Sequence, residues 1–181
     1  MTDPDARPAP AGLKPGPEAD AWRGAADTGT ARRAVAPKLP SWSPASATIS
    51  NELIAQIVES ARHGFPNEAC GLLAADRIAE DGGMPSRFLP MRNAAASPYR
   101  YEIDSQELLA AILEIDDRDQ VVWGIVHSHV ASKPEPSATD VGLAAYRDAL
   151  YLICSLATDP PVVRAWSIVD GHVSEVVLNP T

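Results

Sequence analysis

His127-Ser128-His129 sets two imidazoles two residues apart, where the apolar run 121–127 (VVWGIVH) gives out. If that run is a strand, side chains at i and i+2 share a face, so both rings can converge on one point. Asp140 follows one loop later, in what reads as the first turn of a helix able to fold back towards the strand end. Two neutral imidazoles and a carboxylate suit Zn²⁺, with ligand distances of about 2.0–2.1 Å. Three protein ligands leave a fourth position for water, which is the arrangement of a catalytic rather than a closed structural site.

Such a site still needs a group to take a proton from water and pass it to a leaving amine. Glu68, just before the apolar run 69–75, is the candidate base, and Ser137 is the candidate donor to a developing oxyanion. Each has a plainer reading. Ser137 and Asp140 also fit the Ser-x-x-Asp capping pattern, in which both groups serve backbone N–H donors. Glutamates before strands are commonly solvated. His63 and His172 have no partners at ligand spacing and read as structural or surface residues.

Several elements must position these groups. Ser50 can cap a helix over 50–63 with Leu53, Ile54, Ile57, Val58 and Ala61 on one stripe, ended by Gly64-Phe65-Pro66. Residues 69–75 read as a buried strand, followed by a turn at Gly82-Gly83 and strands over 87–91 and 100–103. Asp104 and Glu107 form a capping box for a second helix with Leu108, Leu109, Ile112 and Leu113 on its apolar face. Residues 121–127 give the strongest strand signal, and 137–149 a third helix. Strands over 151–157, 162–169 and 173–178 follow, the last two joined by a hairpin turn at Asp170-Gly171. The expected fold is one α/β domain with an extended sheet and about three helices, spanning 48–181.

Residues 1–47 differ. They hold 8 of the 17 prolines and no hydrophobic periodicity, which predicts a disordered tail, with Trp22 and Trp42 its unexplained residues. The tail holds 5 acidic and 6 basic residues, so the rest of the chain carries 24 − 5 = 19 acidic against 15 − 6 = 9 basic. That balance argues against nucleic acid as a partner, because phosphate binding needs clustered Lys and Arg. The acidic run 114–119 (EIDDRD) reads as a solvated helix end, with attraction of a basic partner as the second reading. Cys70 and Cys154 are too few for a disulfide framework and read as small buried hydrophobes, although one bridge between them is compatible with the sequence. No apolar run is long enough to cross a bilayer, and the N-terminus has no apolar signal region, so the cytoplasm is the expected location.

The spacing HSH-VASKPEP-S-AT-D from His127 to Asp140, with a distant upstream Glu, resembles the signature of the JAB1/MPN/Mov34 (JAMM) metalloprotease family. Chance would give it in roughly one chain in ten thousand of this composition. NEACGLLA (67–74) is similar to the family's Glu-bearing strand, and the resemblance spans about 49–178. It implies a single MPN domain of cytidine-deaminase-like architecture with a mixed, curved sheet. It also implies one zinc ion on His127, His129 and Asp140, with Glu68 as base and Ser137 as oxyanion donor. EACG at 68–71, Pro90-Met91-Arg92-Asn93, Ser97-Pro98 and Ile168-Val169-Asp170-Gly171 resemble the short bacterial Mec-like members. These hydrolyse the bond between the Gly-Gly end of a ubiquitin-fold sulfur-carrier protein and cysteine, late in cysteine biosynthesis. A lysine isopeptidase for ubiquitin-like modifiers is the alternative among hydrolases, and a silent binding scaffold the alternative outside them. A zinc deaminase is excluded, because neither His-x-Glu nor Pro-Cys-x-x-Cys occurs. Val130 stands where many members have proline, so the loop with Pro134 and Pro136 is where access to the site can differ.

Overall fold

A computed structural model of the chain describes residues 43–181. The expected tail through residue 42, with Trp22 and Trp42, lies outside the described residues. Within them, strand β1 (Ser46–Ile49) begins inside the segment expected to be disordered. It pairs parallel to the last strand, Ser46 opposite Val177 and Ile49 opposite Pro180, and buries Ala47 and Ile49. Four residues are too few to show a period of two, and the partner that stabilises them lies at the far end of the sequence.

Helix α1 (Asn51–Gly64) starts where expected, with the Ser50 side chain accepting from the Leu53 N–H at 3.2 Å. Its buried stripe is Leu53, Ile57 and Ala61. Strands β2 (Cys70–Ala75) and β3 (Arg87–Met91) form an antiparallel pair. The strand expected over 100–103 is reduced to one bridge between Ile103 and Asn93. Helix α2 (Ser105–Asp116) is capped by Asp104, which accepts from the Gln106 and Glu107 N–H groups. The capping box is half formed, because the Glu107 carboxylate binds the Arg92 backbone N–H and guanidinium instead.

Strand β4 (Val121–His129) runs two residues further than expected and so carries both histidines. Helix α3 (Ala138–Leu143) stops six residues short of the expected end. Gly142 weakens its last turn. The Tyr151 hydroxyl then takes the Tyr146 N–H at 3.0 Å and donates to the Tyr146 carbonyl, groups that a continuing helix would need. Strands β5 (Leu150–Ser155), β6 (Val162–Val169) and β7 (His172–Pro180) complete the sheet. The β6–β7 turn has positive φ at Asp170 and Gly171 (51° and 79°), the conformation that the Asp-Gly pair favours in two-residue hairpins.

The seven strands lie in the order β1-β7-β6-β5-β4-β2-β3, with β1/β7 and β4/β5 parallel and the other pairs antiparallel. This is the mixed sheet with three helices that the sequence predicts. One core cluster lies under α1 and includes Leu53, Ile57, Leu73, Val126 and Leu152. A second includes Ala111 and Ile115 of α2 with Leu72, Ile125, Tyr151 and Ile153. Covering both faces explains why β2, β4 and β5 read as continuous apolar runs rather than alternating ones. Near the start of β4 the register against β2 shifts between Leu73 and Ala74, and Trp123 is the extra residue. Trp123 is fully buried and its indole N–H donates to the Gly83 carbonyl at 2.8 Å.

Candidate metal centre

The parity of β4 decides which face the histidines take. Ile125 belongs to the α2-side core, so His127 and His129 project from that same side. Cys70 lies opposite His127 in the β2–β4 ladder, and extending the register sets Glu68 opposite His129. Asp140 comes from α3, where the capping box is complete. The Asp140 carboxylate accepts from the Ser137 N–H at 2.7 Å, and the Ser137 hydroxyl accepts from the Asp140 N–H at 3.2 Å. The capping reading of this pair is realised, and the cap that locks α3 also aims Asp140 at the imidazoles.

The loop between β4 and α3 is tied down at three carbonyls. Lys133 accepts from His129 Nδ1 at 2.7 Å, Ser132 from the Ser155 hydroxyl at 2.6 Å, and Pro134 from the Trp166 indole at 2.9 Å. A carbonyl only accepts, so Nδ1 of His129 carries a hydrogen, and in the neutral ring its Nε2 then presents a bare lone pair.

The Nε2 atoms of His127 and His129 lie 3.2 Å apart. Asp140 Oδ1 is 3.5 Å from the first and Oδ2 is 3.5 Å from the second. Donors about 2.0–2.1 Å from a shared tetrahedral centre stand about 3.3–3.4 Å from one another. The three side chains are buried and form a group able to hold a metal ion. Donor chemistry and spacing both fit zinc.

The three groups also shift one another's titration. Burial opposes ionisation of Asp140, but hydrogen bonds from His127 and His129 outweigh it and hold the carboxyl far below its usual range. Burial depresses the pKa of His127, which favours the neutral imidazole. Burial also works against protonation of His129, yet its contacts with Asp140, the Lys133 carbonyl and Glu68 leave it raised on balance. Glu68 is 5% exposed, and burial pushes its carboxyl up to about 7, with His129 pulling down and Asp140 pushing up. A carboxyl titrating near neutrality can both take and return a proton. Ser137 is exposed, and because its oxygen accepts in the cap, its O–H remains free to donate.

Residues 50–169 match the family described as prokaryotic homologs of the JAB domain. The chain belongs to that family. Its relatives include the CysO-cysteine peptidase of Mycobacterium tuberculosis, 41% identical over 133 residues, which cover 72% of this chain and 88% of that one. The desampylase of Haloferax volcanii is 34% identical over 111 residues, covering 61% and 78%. A protein of Desulfitobacterium hafniense, known from its solution structure, superposes with a TM-score of 0.67 at 33% identity, covering 74% and 92%. As a JAB-family member with peptidase relatives the protein is a hydrolase, and no helix among the described residues is long and apolar enough to cross a membrane.

Around the JAB-family site three residues make contacts that the sequence did not reveal. Ser128, between the two histidines, points to the opposite face, where its hydroxyl accepts from the Ala69 N–H at 2.8 Å and its own N–H donates to the Ala69 carbonyl. It thus ties β4 to the residue after Glu68. Asn93 donates to the Glu68 carbonyl at 2.9 Å, while the Glu68 N–H donates to the Ser97 carbonyl. Tyr101 lies flat against His127. Strand parity could have flagged Ser128 as facing away from the two histidines; nothing local reveals the partners of the other two. Cys70 and Cys154 are both free and buried, so no bridge joins them.

Proposed function

We propose that this hydrolase holds one zinc ion on His127, His129 and Asp140. Its substrate is the amide bond after the Gly-Gly end of a ubiquitin-fold sulfur-carrier protein, and its product is cysteine freed from a carrier–cysteine adduct in the cytoplasm. The supporting observation is the tetrahedral spacing of the three donors beside a buried glutamate, in a chain 41% identical to a CysO-cysteine peptidase.

A bound zinc ion supplies Lewis-acid chemistry, lowering the pKa of water and polarising a carbonyl. Glu68 takes the proton of the attacking water on its carboxylate and delivers it to the departing amine nitrogen. Its near-neutral pKa suits both transfers, and its backbone, held by Asn93 and Ser97, keeps the carboxylate in register. The Ser137 hydroxyl donates to the oxyanion as the carbonyl becomes tetrahedral.

The 34% identical desampylase supports a second reading, cleavage of a modifier from a lysine side chain. Both are tested by incubating zinc-loaded protein with a carrier–cysteine adduct and, separately, with a lysine-linked carrier, followed by mass spectrometry. Release of cysteine that stops on chelation supports the first. Cleavage of the lysine conjugate alone supports the second, and turnover indifferent to chelation overturns both.

A further inference from the structure

The two histidines are held in different ways. His129 donates through Nδ1 to the Lys133 carbonyl, the outer hydrogen bond that ordinarily sets the tautomer and ring orientation of a ligating imidazole. The His127 side chain is completely buried, yet its Nδ1 is the one buried side-chain polar atom without a hydrogen-bond partner among the described residues. Its ring plane is fixed by something else. The Tyr101 ring lies on it with centroids 4.6 Å apart and planes 19° from parallel. That geometry lies within the range of attractive offset stacking.

Tyr101 is itself held on both sides. The Asn93 amide donates to the carbonyl of Arg100 at 3.1 Å and accepts from the N–H of Glu102 at 3.0 Å, the residues before and after Tyr101. The same amide donates to the Glu68 carbonyl. One asparagine therefore sets the backbone of Tyr101 relative to the segment leading into β2, which carries Glu68.

We propose that Tyr101 is a positioning residue for the metal site, holding the His127 ring plane by stacking in place of the hydrogen bond that His127 Nδ1 lacks. The proposal rests on the reading of His127 as a ligand. Stacking restrains tilt of the ring plane, and tilt is the motion that would swing the Nε2 lone pair off the point it shares with His129 and Asp140. The ring is what acts, so the hydroxyl is dispensable.

Three forms of the protein test this: wild type, Tyr101→Phe and Tyr101→Leu, each stripped of metal and titrated with Co²⁺ while the visible d–d bands are recorded. Outer partners of ligating histidines are worth about 10–100-fold in metal affinity, so Tyr101→Leu should bind about tenfold more weakly or worse, with shifted bands. Tyr101→Phe should match wild type in both. Unchanged affinity and bands in the Leu variant, or a Phe variant that behaves like Leu, would overturn the proposal. The second measurement needs no metal and is made on wild type and the Phe variant. Ring-current shifts of the His127 carbon-bound protons should be present in both, and their absence in wild type overturns the stack. A wild type that takes up no cobalt would sink the metal reading instead, and the ring-current result would still decide the stack.

Discussion

Glu68→Gln separates the proposed base from the proposed ligands, and burial sets the size of the effect. With its carboxyl raised from 4.5 to about 7, the folded metal-free protein favours the protonated form more than the unfolded chain does. A group raised in this way contributes stability that is complete below 4.5 and is lost as pH rises through about 7. At 1.36 kcal/mol per pH unit, the ionised carboxylate costs the metal-free fold roughly 3 kcal/mol above neutrality. Glutamine has the shape of the protonated acid and no charge to lose. Urea denaturation of the metal-free proteins should therefore find Glu68→Gln more stable than wild type by roughly 3 kcal/mol at pH 8.5, and by less than about 1 kcal/mol at pH 5. In the zinc-loaded form the same variant should keep its metal and lose turnover by about 10²–10⁴-fold. A stability difference independent of pH would refute the burial argument. Loss of zinc equal to that in His127→Ala would refute the assignment of Glu68 as a base that does not ligate.

The ligand variants His127→Ala and Asp140→Ala should lower zinc per chain, measured by atomic emission, as well as activity; full occupancy in either would remove that residue from the ligand set. Ser137→Ala loses both a helix cap and an oxyanion donor, so the melting curve should show about 1 kcal/mol of destabilisation and kcat a fall of about 10²–10³-fold with KM little changed. Ser128→Ala leaves the Ala69 N–H without its acceptor, and should cost about 1–3 kcal/mol by denaturant titration. Truncation through residue 42 should leave the melting temperature unchanged, whereas Ile49→Ala, at a position with 0% exposure in β1, should cost about 2–5 kcal/mol. A truncation as damaging as Ile49→Ala would show that the domain extends further towards the N-terminus.

Much of this protein is legible one residue at a time. The His-x-His pair lies on a strand whose period of two forces both rings to one side, and Ser137-x-x-Asp140 caps a helix by local hydrogen bonds alone. Helix α1 and the Asp170-Gly171 hairpin follow from capping and turn chemistry within a few residues. What the sequence left open depends on groups far apart along the chain. Strand β1 exists because β7 offers it an edge. Helix α3 ends early because the Tyr151 hydroxyl claims the backbone of Tyr146, and the Glu107 carboxylate leaves its cap for Arg92. The donor spacing of 3.2–3.5 Å, the burial that raises Glu68, the Ser128–Ala69 tie and the Tyr101–His127 stack all arise where β2, β4, α3 and the loop after β3 are packed together. Side-chain type and spacing specify which atoms can bind a metal, because those are local properties of a strand and a helix turn. Whether the atoms meet, and at what pKa, is decided by long-range packing and desolvation.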